Sequence, residues 1–131
     1  MSTIVLGKRP KTFAAFNVSF EGPDKEEKTI PDVVFKYRTR SEFAKFTDEG
    51  NEEAGAAYKI APGEKFSLEK MFEAQGNSQV KRLLQCIESW GLEGIDLNEA
   101  RMKELQDEYP GAMVALWSAY GNACRDGRLG N

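Results

Sequence analysis

The chain has no histidine among its 131 residues. That removes the commonest general base and the commonest metal ligand. Every Ser-His-Asp or Cys-His arrangement goes with it. Cysteine is nearly as scarce, with only Cys86 and Cys124, too few for the four ligands of a structural zinc site. Both fall at positions of helical apolar spacing, where a reduced thiol serves as a small hydrophobe. No G-x-x-x-x-G-K-[ST] or G-x-G-x-x-G signature is present, so no phosphate cradle is signalled. No apolar run approaches the roughly 20 residues needed to span a bilayer. The opening MSTIVLGKRP places a short apolar patch before its charges, the reverse of a signal peptide. Glu52/Glu53 and Asp107/Glu108 are adjacent carboxylates that diverge by about 100° on a helix and read as solvated surface. The expectation is a cytoplasmic protein that is not an enzyme, with no cofactor, metal, disulfide or membrane partner.

What is present suits a single globular domain over 1–131. Apolar residues make up 40%, aromatics 11% and charged residues 30%, with a mean hydropathy of −0.55. The net charge of −3 is unevenly spread. Residues 1–40 hold eight Lys/Arg against five Asp/Glu, and residues 41–131 hold ten against sixteen. The basic part lacks the aromatic interleaving of a nucleic-acid surface, and no nucleic-acid partner is expected. A small nucleic-acid-binding regulator is the remotest alternative. A helix-turn-helix over 98–128 would present Ala, Met, Leu and Ser, with no base-reading side chain before Asn122.

Residues 1–11 read as a flexible arm and 12–38 as an antiparallel β-hairpin. Phe16, Val18 and Phe20 alternate on one strand, and Val33, Phe35 and Tyr37 on the other. Gly22-Pro23-Asp24 supplies the turn, and Pro31 suits an edge or a strand start. Thr39 and Glu42 spell a capping box, predicting a helix from about Arg40 to Glu49 with Gly50 as its stop. Residues 50–63 then read as a loop, with a partial helix around Glu52 to Lys59. A second helix is expected over Glu64 to Gln75, broken by Gly76-Asn77-Ser78, where Asn77 or Ser78 would cap the next one. Val80, Leu83, Leu84 and Ile87 follow helical spacing, Trp90 extends the face, and Gly91 ends it. Met102, Leu105 and Tyr109 mark a weaker stripe, with Asp96 and Glu99 as a capping pair beside Ile95 and Ala100. Met113, Leu116, Trp117, Tyr120 and Cys124 form the last stripe, opened by Pro110 at N1 and closed by Gly127. The class is α+β: an N-terminal hairpin packed on four or five helices over 39–131. The predicted core is Leu83, Leu84, Ile87, Trp90, Leu116, Trp117 and Tyr120.

Three stretches, in order, carry a resemblance. LGKRPKTF with VVFKYRTRSEF, then CIESWGLEG, then EYPGAMVALWSAYGNACRDGRLGN are similar to the tail assembly chaperones of long-tailed, non-contractile bacteriophages. The likeness covers roughly 6–50 and 64–131, leaving out 51–63, and Gly91 stands where Asp is expected after the Trp. It implies a non-catalytic role in the host cytoplasm. Such chaperones coat the tape measure protein, a long helical chain with apolar faces, while tail tube protein polymerises around it. They are absent from the mature virion. Related genes also yield a longer, frameshifted product that recruits the tube protein, and this sequence would be the short form. A long partner with many sites also favours a homo-oligomer. The alternative is a structural head–tail joining or tail component that stays in the particle.

Within that reading the partner-binding residues are Phe66, Leu68, Met71, Phe72 and Met113. Leu68 and Phe72 align on a helix while Phe66 lies about 160° from Leu68. One buried face cannot cover all of them, so apolar area is left for a partner. Methionine adds adaptability to such a surface.

Overall fold

A computed structural model describes residues 2–130. Strands β1 (Phe16–Glu21), β2 (Glu27–Phe35) and β3 (Ile87–Ser89) form an antiparallel sheet in the order β1-β2-β3. Among the described residues four helices accompany it: α1 (Arg40–Ala57), α2 (Leu68–Leu84), α3 (Glu99–Glu108) and α4 (Pro110–Asp126). The class is α+β, as expected.

The hairpin turns at Gly22–Glu26. Lys25 N–H donates to the Gly22 carbonyl at 3.0 Å, and the Asp24 carboxylate accepts from Glu26 N–H at 3.1 Å. Lys28 reaches back to the same carboxylate at 3.1 Å and, with the Glu26 N–H, holds its pKa below the ordinary value. The pairing shifts register between Phe16↔Val33 and Val18↔Ile30, so Pro31 and Asp32 together oppose Asn17. This is a β-bulge. Asp32 takes a φ of 50°, and its N–H donates to the Asn17 side chain at 3.1 Å. The extra residue lets Ile30 and Val33, an odd interval apart, both enter the core. Pro31 therefore sits in the central strand and not at an edge. The bulge removes the need for its missing N–H, and its carbonyl accepts from Gly91 N–H at 2.7 Å. Part of the expected flexible arm is tied to the sheet. The Lys11 carbonyl accepts from Tyr37 N–H at 3.0 Å, next to the Thr12–Lys36 bridge, and Arg9 pairs with Glu42 of α1 at 2.9 Å.

The helices differ from expectation mainly in where they stop. Thr39 does form a reciprocal capping box with Glu42, but α1 runs past Gly50 to Ala57, through much of the expected loop. A Cβ at Gly50 would lie 2.7 Å from the Arg82 guanidinium. The glycine is there to admit that side chain, not to end the helix. Likewise α2 continues through Gly76-Asn77-Ser78, and Ser67 is its N-cap, its hydroxyl accepting from Lys70 N–H. A Cβ at Gly76 would meet Gln106 at 2.7 Å, and the Gln106 amide donates to the Gly76 carbonyl. The helix expected to reach Trp90 ends at Leu84, and Ile87 enters the core from β3 instead. The chain leaves the helix because β2 has a second edge to satisfy. Phe35 pairs with Ile87, Val34 with Ser89, and Lys36 N–H donates to the Cys86 carbonyl at 2.7 Å. Asn98, not Asp96, caps α3. Pro110 opens α4 and Gly127, in the left-handed conformation at φ 67°, closes it.

Helix α4 lies at the centre, burying Ala112, Met113, Leu116, Ala119, Tyr120, Gly121, Ala123 and Cys124. Its exposed side carries Gly111, Val114, Ser118 and Arg125. Leu83, Ile87, Leu116 and Tyr120 are buried as predicted, while Leu84, Trp90 and Trp117 are half-buried against the core. The sheet supplies Val18, Ile30, Val33 and Phe35 to the same core, and α1 supplies Phe43 and Phe46. Tyr120 donates its hydroxyl to the Lys36 carbonyl at 3.1 Å and accepts from Arg38 at 2.8 Å. Burial raises its pKa.

Candidate partner-binding surface

Helices α1 and α2 pack against each other over unequal environments. Toward Phe46 and Leu83 they close on the core. The Phe46 ring there is covered by the Arg38 guanidinium at 3.9 Å and by that of Arg82 at 3.8 Å. Arg82 also donates to the Phe46 carbonyl and lies 3.7 Å from Glu53. Away from that point no residue of α1 after Phe46, and none of α2 before Val80, is buried. The cleft between these outer halves is lined by Thr47, Gly50, Asn51, Ala54, Gln75 and Ser78, small or polar groups, with Trp117 at its base. No apolar seam closes it.

The connection between the two helices is stitched by one aromatic pair. The Tyr58 hydroxyl accepts from Ser67 N–H at 3.1 Å, and the Tyr58 and Phe66 rings meet edge to face at 6.3 Å. Phe66 nevertheless remains 59% exposed, and beside it Leu68 and Phe72 are 54% and 63% exposed. Leu68, Phe72, Gln79 and Leu83 fall on one side of α2 by helical spacing. The side that Leu83 buries thus continues outward, without cover, as Leu68 and Phe72. Burying a large apolar side chain is worth about 1.5–3 kcal/mol, so such a row marks an interaction surface sooner than a packing fault.

A second depression runs between α2 and α3, with a volume of about 840 Å³. Phe72, Gly76, Ala100 and Pro110 supply its apolar lining, and Glu73, Lys103, Glu104 and Asp107 its charges. Gln106 spans it, donating to Gln79 at 2.7 Å as well as to Gly76.

Of the residues expected to bind a partner, Phe66, Leu68 and Phe72 come together on this outer surface and Met71 is half-buried beside them. Met113 does not join them. It is 2% exposed and belongs to the core, because the broad stripe of α4 reflects a helix covered on several sides. Sequence spacing missed Ile60, half exposed in the connection between α1 and α2, since a lone apolar residue in a loop carries no period. It also gave no weight to Ile4, Val5 and Leu6, exposed at 85%, 58% and 91%, although their run was visible.

Both cysteines are free and buried. Burial pushes the Cys86 thiol up to about 12 and raises that of Cys124 too. Among the described residues no His/Cys/Asp/Glu group is placed to hold a metal ion. No helix among them is long and apolar enough to cross a membrane.

A family model described as phage tail assembly chaperone matches residues 1–131, the whole chain. No curated protein and no solved structure matches. The chain belongs to that family of phage tail assembly chaperones.

Proposed function

We propose that this member of the phage tail assembly chaperone family binds the tape measure protein through the outer face of α2. Many copies coat the long helical partner in the host cytoplasm, self-associating as they do so. They hold it soluble while tail tube protein polymerises around it, with a longer, frameshifted form recruiting the tube protein, and they leave before the virion is complete. The role is one of binding, not catalysis. The observation that carries this reading is the uncovered row of Phe66, Leu68 and Phe72 on a family member whose remaining large core residues are covered. Half-buried Met71 beside the row adds an adaptable contact.

The test is co-expression with the candidate tape measure protein, scoring how much stays soluble. Wild type should solubilise it, and Leu68→Asp combined with Phe72→Asp should lose that effect while keeping the native circular dichroism spectrum. If the folded double variant solubilises as well as wild type, the surface is misassigned. If wild type itself does nothing, the tape measure reading fails. Mass spectrometry of purified virions then checks the departure of the chaperone, which a structural tail component would contradict by remaining.

A further inference from the structure

Two apolar features lie uncovered at separate places, and their charges are opposite. One is the segment Ile4-Val5-Leu6, which turns at Gly7 (φ 89°) into Lys8, Arg9 and Lys11. No Asp or Glu occurs before Glu21. The other is the α2–α3 groove, where Glu73, Glu104 and Asp107 outnumber Lys103 around Phe72, Ala100 and Pro110. Ion pairs join Arg9 to Glu42, Lys103 to Glu99 and Arg101 to Glu104. Among the described residues none engages Lys8, Lys11, Glu73 or Asp107.

We infer that residues 4–11 of one copy dock along the α2–α3 groove of a second copy of this chain. Ile4, Val5 and Leu6 cover the apolar lining, and Lys8 and Lys11 meet Glu73 and Asp107. The occupant is a copy of the chain because the segment and the groove complement each other in apolar character and in charge. The groove volume is in the range that holds a short run of side chains. Each copy carries one segment and one groove, and in the head-to-tail arrangement every copy donates to one neighbour and accepts from another. A head-to-tail series repeats the same outer face of α2 at regular intervals, which suits a long partner with many sites. The inference rests on the self-association in the proposed function and names its interface. Phe72 borders both surfaces and is left unchanged in the test.

The experiment uses the full chain in sedimentation velocity over a hundredfold concentration range. The variants are Ile4→Asp with Leu6→Asp, which spoils the segment, and Glu73→Lys with Asp107→Lys, which reverses the groove. All four positions are exposed or at the surface, and circular dichroism confirms the fold of each variant. Wild type should associate with rising concentration, and each variant alone should need at least tenfold more protein to do so. Mixed in equal amounts, the two variants should form a one-to-one pair that grows no further, since one retains a good groove and the other a good segment. Adding Lys8→Glu and Lys11→Glu to the reversed groove should restore association. If either variant alone associates like wild type, or the mixture stays monomeric, this interface is wrong while self-association stands through another face. If wild type is monomeric throughout, docking between copies and self-association both fail, and the tape measure assay decides the remaining function separately.

Discussion

At its Phe46 end the α1–α2 pair is held by aromatic rings. Phe43 and Phe46 meet Trp117 at 6.0 and 6.2 Å, and Phe43 meets Tyr120 at 5.6 Å. At its Ala57 and Leu68 end the same two helices bury nothing. Local signals differ as well. The near end of α1 has a capping box, whereas its far end has Gly50, Gly55, three glutamates and no basic residue in the last turn. Glycine weakens a helix interior, and no basic group in the last turn complements the helix dipole. One end is therefore built for stability, and the other leaves apolar side chains available at little local stability. A binding surface drawn from the weakly held part of a fold can adjust to its partner.

The comparison breaks first if core and outer face respond alike. Leu116→Ala, at a wholly buried site, should lower unfolding free energy by about 2–5 kcal/mol, measured by urea denaturation. Leu68→Ala should stay within about 0.5 kcal/mol of wild type. Equal losses at the two positions would mean that the outer face is packed after all.

Glycine sharpens it next. Gly50→Ala should destabilise by about 1–3 kcal/mol, because the new methyl would lie 2.7 Å from the Arg82 guanidinium, which its stacking on the Phe46 ring and its bond to the Phe46 carbonyl keep from moving aside. Gly55→Ala, with nothing within 4 Å of the added Cβ, should stabilise by about 0.5–1 kcal/mol through helix propensity. The same substitution, a few residues apart in one helix, should change sign in thermal unfolding.

A smaller effect concerns pH. Burial raises the Cys86 thiol from 9.0 to about 12. A raised folded-state pKa leaves its contribution intact below 9 and removes it between 9 and 12. Stability should fall by about 1 kcal/mol between pH 9 and 10 from this group, and Cys86→Ser should flatten that limb. In native protein at pH 8 a thiol reagent should leave Cys86 unlabelled.

An effect of similar size is expected at the cap. Thr39→Ala should cost about 1 kcal/mol. Thr39 N–H and hydroxyl, with Arg9, lower the Glu42 pKa from 4.5. The contribution of Glu42 is thus present above the ordinary carboxylate range and lost as pH falls through its depressed value. Acid titration of Glu42→Gln should lack that step.

Much of the fold was legible where local chemistry and tertiary packing agree. The Thr39–Glu42 box, the Gly22-Pro23-Asp24 turn, Pro110 and Gly127 all act as their local preferences dictate. Gly50 and Gly76 were misread because a helix stop and a close approach of another side chain call for the same residue. Only the positions of Arg82 and Gln106 tell the two apart. Ile87 was misread because it continues a helical period while lying on a strand, and that strand exists only because β2 has an open edge. Phe66, Leu68 and Phe72 were legible as too many apolar residues for one face. Met113 was not distinguishable from them, since the width of a stripe does not reveal how many neighbours cover it.

The placement of the two tryptophans gives the protein an optical readout. Trp117 stands at the base of the α1–α2 cleft, among Phe43, Phe46 and Tyr120, with the Arg82 guanidinium lining the same space. Trp90 is held apart, its ring N–H donating to the Ile95 carbonyl at 2.9 Å. In a Trp90→Phe background, tryptophan emission comes from Trp117 alone. Any partner that draws the outer halves of α1 and α2 together or apart changes the polarity around that indole. Its emission wavelength then follows occupancy of the α2 face without an attached dye, and a titration can be read from the fluorescence of the chain itself.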